Sequence, residues 1–381
     1  MIALARKTLA YEWRRFLPAV FALGFSGVLL TVQAALVLGI FDSASLYVSA
    51  SSADLWTGYP GTQSVSFGRP IGPDVEMRLR MDPDVQDVEP YLWTEGDWHA
   101  AGARGGDVSV YVSGISTGSG GPSGAMMFSA LLPPDLRTRL DEPGAVVVDR
   151  ADLGQLQVAP GGEASIAGRQ VRVIAALPGL RALGGVNVLA SLDTARRIAG
   201  RDAPAGATYY LSRLRPGTDP ASVRDRLSPD RAFGPFETWT ARDFARRSQH
   251  YWLFGTGAGV AVLFMAVIVC VVGAVVTSQS LIGVVAGSAR EYAVLHALGA
   301  SMAALGRVVV EQACWVGGLG LLTGAVFSAA LLALADSQDV PVAMNLAVSL
   351  LCAALVAVLA LLSGLLAMRG LLRADPAELL R

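Results

Sequence analysis

Lysine is almost missing from these 381 residues: Lys7 is the only one, against 29 arginines. A Walker A loop needs a lysine directly after its glycines to reach the β and γ phosphates of a nucleotide, and no glycine-rich loop precedes Lys7. The chain therefore holds no P-loop, and ATP-driven work would fall to a separate subunit. Cysteine is scarce too. Cys270, Cys314 and Cys352 all lie in apolar stretches, which excludes a disulfide scaffold in the polar part and reads as small apolar packing. The three histidines, His99, His250 and His296, are scattered without ligand spacing, so no metal is expected. The serine-rich segment from Gly114 to Gly124 lacks the strand-to-helix setting of a nucleophile elbow. No catalytic residue and no cofactor of its own are assigned to this chain.

Charge is also short: 16% of residues are Asp, Glu, Lys or Arg, against about 25% in soluble domains. The deficit sits in four apolar stretches. One runs from Leu17 to Ile40, one opens at Tyr251, one lies between Glu311 and Asp336, and one between Asp339 and Arg369. Each is long enough to cross a bilayer as a helix, which takes roughly 20 apolar residues. The expected fold class is membrane α-helical, with four transmembrane helices and a large α+β extracytoplasmic domain between helices 1 and 2. The expected divisions are 1–16 cytoplasmic amphipathic helix, 17–40 first span, 41–250 outer domain, 251–280 second span and 281–307 cytoplasmic connection. After these come 308–335 as third span, 336–340 outer turn, 341–368 fourth span and 369–381 cytoplasmic tail.

Orientation follows from the basic residues flanking the helices. Arg6, Lys7, Arg14 and Arg15 precede the first span, Arg290 and Arg307 lie between the second and third, and Arg369, Arg373 and Arg381 follow the fourth. The turn between the third and fourth offers only Asp336 and Asp339. The positive-inside rule puts both termini and the second connection in the cytoplasm, with the 41–250 block outside. Its 21 arginines and 24 acids do not oppose this, since long domains translocate largely regardless of charge. The first apolar run exceeds a signal-peptide core of about 7–15 residues and reads as an uncleaved anchor. In residues 2–16, Ile2, Ala5, Leu9, Trp13 and Phe16 fall near one helical face, as in a helix lying on the membrane surface.

The outer block alternates strand and helix signals. Gln63–Phe67, Val85–Trp93 and Val108–Ile115 read as strands and Pro73–Met81 as a helix. Ser116–Gly124 is glycine-rich and marks an expected boundary between two lobes, about 53–115 and 125–240. Ala145–Val148, Glu163–Ile166, Gln170–Ala176, Val186–Ala190 and Thr208–Leu214 read as further strands. Helices are expected from a Ser191 cap to Ile198, over Pro220–Leu227 and over Ala241–Ser248. From Gln249 to Ala289 no Asp, Glu, Lys or Arg occurs. A helix of that length reaches roughly 60 Å, so the second one is expected to project beyond the hydrocarbon layer.

The connection after it is the most informative segment. Residues Arg290-Glu291-Tyr292-Ala293-Val294-Leu295-His296-Ala297-Leu298-Gly299-Ala300-Ser301 make a short amphipathic helix, with Val294, Leu295 and Leu298 apolar and Gly299 suited to a C-terminal stop. Such a helix, held between two spans, can seat in a groove of a cytoplasmic partner; an interfacial loop helix is the plainer alternative. Two G-x-x-x-G patterns, Gly255 with Gly259 and Gly320 with Gly324, are candidate contacts for a homodimer or for packing within the chain.

The 290–301 segment looks like the coupling segment of FtsX-like and MacB-like ABC transporter permeases. The ending Arg373-Ala374-Asp375-Pro376-Ala377-Glu378-Leu379-Leu380-Arg381 resembles the D-P-A-E-x-L-R ending of the same group. Ala53-Asp54-Leu55-Trp56 is similar to the A-D-L-W-V segment of the DevC-type branch, with Thr57 in place of its valine. The resemblance spans the whole chain in layout. It implies a homodimer in membrane lipid that works with a cytoplasmic ABC ATPase subunit holding ATP and Mg. Arg290, Glu291, Val294, Leu295, Leu298 and Gly299 would couple nucleotide-driven closure to the outer domain. The DevC-type branch further implies a periplasmic adaptor and an outer-membrane duct; no nucleic-acid partner is expected. A second function stays open: an FtsX-type transmitter that activates an extracytoplasmic enzyme and transports nothing. Lipid, glycolipid, peptide and drug all remain open as substrates.

Overall fold

The computed structural model describes residues 11, 13–101, 107–118, 125–181, 183, 185–227, 234–287, 301–338, 340 and 342–373. These divide into two compact units, 1–40 with 258–381, and 41–257.

The first unit is made of long apolar helices. The helix Trp13–Ser49 starts in it, and Gly257–Gly287, Met302–Ser337 and Leu346–Arg373 complete it. Among the described residues three helices are long and apolar enough to cross a membrane, with cores at Trp13–Ser49, Gly257–Ser280 and Cys314–Ser337. In the last helix the described apolar stretch is Leu346–Leu362, 17 residues. Gly257–Gly287, at 31 residues, reaches about 46 Å, more than the roughly 30 Å hydrocarbon layer.

Small residues bring the first helix against the third. A Cβ added to Gly320 would stand 2.5 Å from Leu23 Cδ2, and one added to Gly324 would stand 3.0 Å from the Gly24 carbonyl. A Cβ on Gly24 would in turn meet Thr323 Oγ1 at 2.6 Å. Backbone approach of this kind is what drives helix association in lipid, where burial of apolar surface supplies no force. Phe16, Ala19, Leu23 and Leu30 of the first helix cluster with Val316 of the third and with Val356 and Ala360 of the last. Side-chain groups of the first helix also reach the second: Ser26 Oγ donates to the Gly273 carbonyl at 3.2 Å and Gln33 Nε2 to the Val262 carbonyl at 3.3 Å. The remaining faces expose Phe264, Met265, Val271, Leu322, Val326, Phe327, Leu350 and Leu351. An apolar surface that continuous marks contact with lipid or another apolar partner.

The second unit is α+β. Its strands are β1 Leu55–Gly58, β2 Val85–Ala100, β3 Val108–Ile115, β4 Ala145–Asp149, β5 Glu163–Ile166, β6 Arg169–Leu177, β7 Val186–Ser191, β8 Tyr209–Leu214 and β9 Glu237–Thr240. The 16-residue β2 belongs to two sheets. Its first half pairs antiparallel with β8, and β8 continues to β1 and β9. Its second half pairs with β3 on one side and β5 on the other, and the ladder β3-β7-β4-β6-β5 returns to β2, closing a six-stranded barrel. Closure removes the exposed edges that an open sheet would carry.

Alternation along the strands explains the cores. Trp56, Tyr209 and Leu211 face a cluster with Tyr91, Trp93, Phe128, Trp239 and Phe244. Their neighbours Leu55, Tyr210 and Leu214 face Val75, Leu79 and Val223 from the helices Asp74–Arg80 and Pro220–Arg226, and Leu227 just after the second. Trp98, Val110, Val146, Ile166, Val173 and Val188 make a further cluster among the barrel strands.

Two readings of the sequence change. Gln63–Phe67 holds a single 3-10 turn over Val65–Phe67 instead of a strand, because Ser64 and Tyr59 carbonyl bonds close turns there before any strand partner arrives. Strand pairing also ignores the 116–124 segment as a lobe boundary: β8 and β9 join β1 and β2, while β3 joins β7. Periodicity identifies a strand but carries no information about a partner far along the chain.

Candidate functional site: the root of the α+β unit

The coupling residues Arg290, Glu291, Val294, Leu295, Leu298 and Gly299 lie outside the described residues. Gly320 and Gly324 face the first helix of the same chain, as above. Gly255 closes a π turn, Tyr251–Gly255, and Gly259 lies in the helix that starts at Gly257. Thr256 between them is extended, with φ −109° and ψ 145°, so this pair does not share one continuous helix.

What the sequence did not single out is how firmly both ends of the α+β unit are fixed. The end of the first helix, residues 41–49, enters the core: Tyr47 sits edge-on to Trp93 at 5.0 Å and to Phe128 at 6.4 Å. At the other end the helix Ala241–His250 begins at a Thr240 cap, whose hydroxyl accepts from the Asp243 N–H, as N-caps do. Phe244 buries against Trp56, Tyr209 and Trp239. Arg247 holds the helix to the sheet through Glu237 Oε1 at 3.2 Å and lies over the Trp239 ring.

The two ends are then tied to each other. Ser248 Oγ donates to the Ala44 carbonyl at 2.6 Å and lies 2.9 Å from Ser64 Oγ, with which it shares a hydrogen bond. Gln249 Nε2 donates to Ser45 Oγ at 3.0 Å and to the Phe41 carbonyl at 3.4 Å. Trp252 Nε1 donates to Ser64 Oγ at 3.1 Å, and Phe67 stacks on Trp252. Ser248, Ser45 and Ser64 are buried, where hydrogen bonds hold geometry firmly because an unmade one is costly. Both chain connections thus leave the unit as one braced pair. The π turn follows at once, and such turns often mark functional positions in helices.

Electrostatics nearby serve structure. Burial pushes the Glu237 carboxyl up, but the Gly61 N–H, Trp239 and Arg247 outweigh it and hold it below the usual carboxylate range. Burial raises Glu89, whose Oε2 accepts from the Met126 N–H at 2.8 Å. Burial likewise opposes, and Arg226 with the Asp84 N–H overcomes, the lowered value of Asp82. Among the described residues no three His, Cys, Asp or Glu side chains gather as a metal site.

One stretch of the chain matches a known family. Residues 253–376 match the FtsX-like permease C-terminal domain; the chain carries that domain, from the π turn through the last helix. No curated protein matches the chain. Among solved structures, it is similar to the periplasmic region of MacB from Actinobacillus actinomycetemcomitans, at 13% identity and TM-score 0.37, over 52% of this chain and 94% of that one. It is also similar to the extracellular domain of the ABC-type transporter YknZ from Gram-positive bacteria, at 12% identity and TM-score 0.31, over 49% of this chain and 99% of that one. Scores this low do not equate the folds.

Proposed function

We propose that this chain is the membrane subunit of an ABC-type export system in a bacterial inner membrane. A separate cytoplasmic ATPase holds ATP and Mg, and this chain, itself non-catalytic, turns the closure of that subunit into movement of its α+β domain outside the membrane. The observation that carries the reading is the FtsX-like permease match over 253–376, which includes the 290–301 segment. In this account four helices span the membrane with both termini inside, and two copies pair around two ATPases. Residues 290–301 are the coupling helix: Leu295 and Leu298 seat in the ATPase groove, with Arg290 and Glu291 at its rim. A periplasmic adaptor and an outer-membrane duct receive the movement in the DevC-type version.

The braced root supports this mechanism. The Ser248, Gln249 and Trp252 bonds tie the two chain ends of the α+β unit to each other, so a force on one is shared by the other. The purified chain is expected to hydrolyse no nucleotide and to co-purify with its cognate ATPase. Hydrolysis by the isolated chain, after controls for contaminants, would sink the reading.

A further inference from the structure

Arginine, so dominant in this chain, gathers at one open depression of the α+β unit. About 630 Å³ in volume, it lies between the start of β6, the helix Leu192–Ala199 and the turn at Gly200. Arg169, Arg196, Arg197 and Arg201 line it, and no carboxylate does among the described residues. All four side chains are exposed at the rim, while Val171, Thr194 and Ile198 form a buried floor.

Glu142 and Asp193, the acids described beside it, do not neutralise this group. Glu142 is taken by Arg172 at 2.6 Å. Asp193 reaches Arg196 only at 4.0 Å with its side chain 88% exposed, a separation and exposure worth little in water. Arg197 is held in place without a charge partner among the described residues, donating to Thr194 Oγ1 at 3.0 Å and to the Asp193 carbonyl at 3.2 Å. Arg169 and Arg201 make no ion pair among the described residues. Thr194 Oγ1 also accepts from the Gly144 N–H, which ties the floor to the strand beside it. Several other arginines of this unit are paired with acids: Arg226 with Asp82 and Asp84, Arg224 with Asp225 and Asp243, Arg247 with Glu237.

Four like charges within one depression repel each other, and an anion removes that penalty. Guanidinium groups present flat pairs of donors that match the oxygens of phosphate. We propose that this depression binds a phosphate-class oxyanion, with Arg169 and Arg201 gripping it from opposite walls and Arg196 and Arg197 completing the shell. Two sources present such an anion, a soluble phosphorylated compound and a lipid headgroup, and the experiment separates them.

The full chain in phosphatidylcholine nanodiscs is titrated with pyrophosphate by calorimetry. Saturable binding is expected, weakened at least about tenfold in Arg169→Gln/Arg201→Gln, as the loss of charge-assisted pairs requires. Arg139→Gln, on an exposed helix position outside the depression, should leave it unchanged. The single Arg201→Gln, expected to fall between, keeps the test decisive if the double variant fails to fold. Repeating the titration in discs with phosphatidylglycerol assigns the source: weaker apparent pyrophosphate binding means that lipid headgroups reach the site, and unchanged binding means a soluble ligand. Absence of saturable binding, or equal binding by wild type and the double variant, overturns the proposal.

Discussion

Ser248 is the residue on which the root of the α+β unit turns. Its hydroxyl meets both the Ala44 carbonyl and Ser64 Oγ in a buried setting. Ser248→Ala should cost about 1 kcal/mol or somewhat more, read as a lower thermal midpoint of the full chain in detergent. An unchanged midpoint would mean that the bond holds nothing. Glu89 gives a pH signature. Burial raises its folded pKa above the unfolded value, against the opposing Met126 N–H and Arg213. The stability it contributes is therefore fully present below the ordinary carboxylate range and is lost as pH rises through the raised value. Glu89→Gln should flatten that part of the stability profile, measured by thermal unfolding across acid to neutral pH; a profile as steep as wild type would exclude Glu89 as its source. Neither residue advertised its role in the sequence. Ser248 read as one polar residue before an apolar run, and its partners Ala44 and Ser64 stand about 200 positions away.

At the scale of elements, the helix contact at Gly24, Gly320 and Gly324 makes a sharp contrast with nearby glycines. A side chain at Gly320 would collide with Leu23, whereas a Cβ at Gly318 meets nothing within 4 Å. Gly320→Leu should destabilise the helical unit by about 1–3 kcal/mol, as overpacking does, and Gly318→Leu should be close to neutral. Resistance to unfolding in increasing detergent denaturant reads both; equal behaviour of the two would remove the contact from the account. Elements were well legible where local chemistry decides them. Ser191 caps its helix, and Val108–Ile115 and Glu163–Ile166 are strands, because caps and alternation are written within a few residues. Pairing was not legible. The closed barrel needs β5 to reach β2 across some 65 positions, and nothing in either strand names the other. The G-x-x-x-G motif at 320 and 324 was visible, but the motif alone does not say whether its partner is a second copy or the same chain.

For the whole molecule, the apolar helices, the braced root and the 290–301 segment form one proposed line of transmission. Burying Leu298 in a partner groove is worth about 1.5–3 kcal/mol, and a factor of ten in affinity corresponds to about 1.4 kcal/mol. Placing a carboxylate in such a groove adds the cost of desolvating its charge. The most direct measurement is co-purification of the cognate ATPase with Leu298→Asp, at matched membrane levels and beside a control such as Ser228→Asp in the α+β unit. The account predicts normal insertion, ATPase binding weakened by well over tenfold and export lost in step, with the control unaffected. A Leu298→Asp chain that inserts normally and keeps full ATPase binding and export would contradict it.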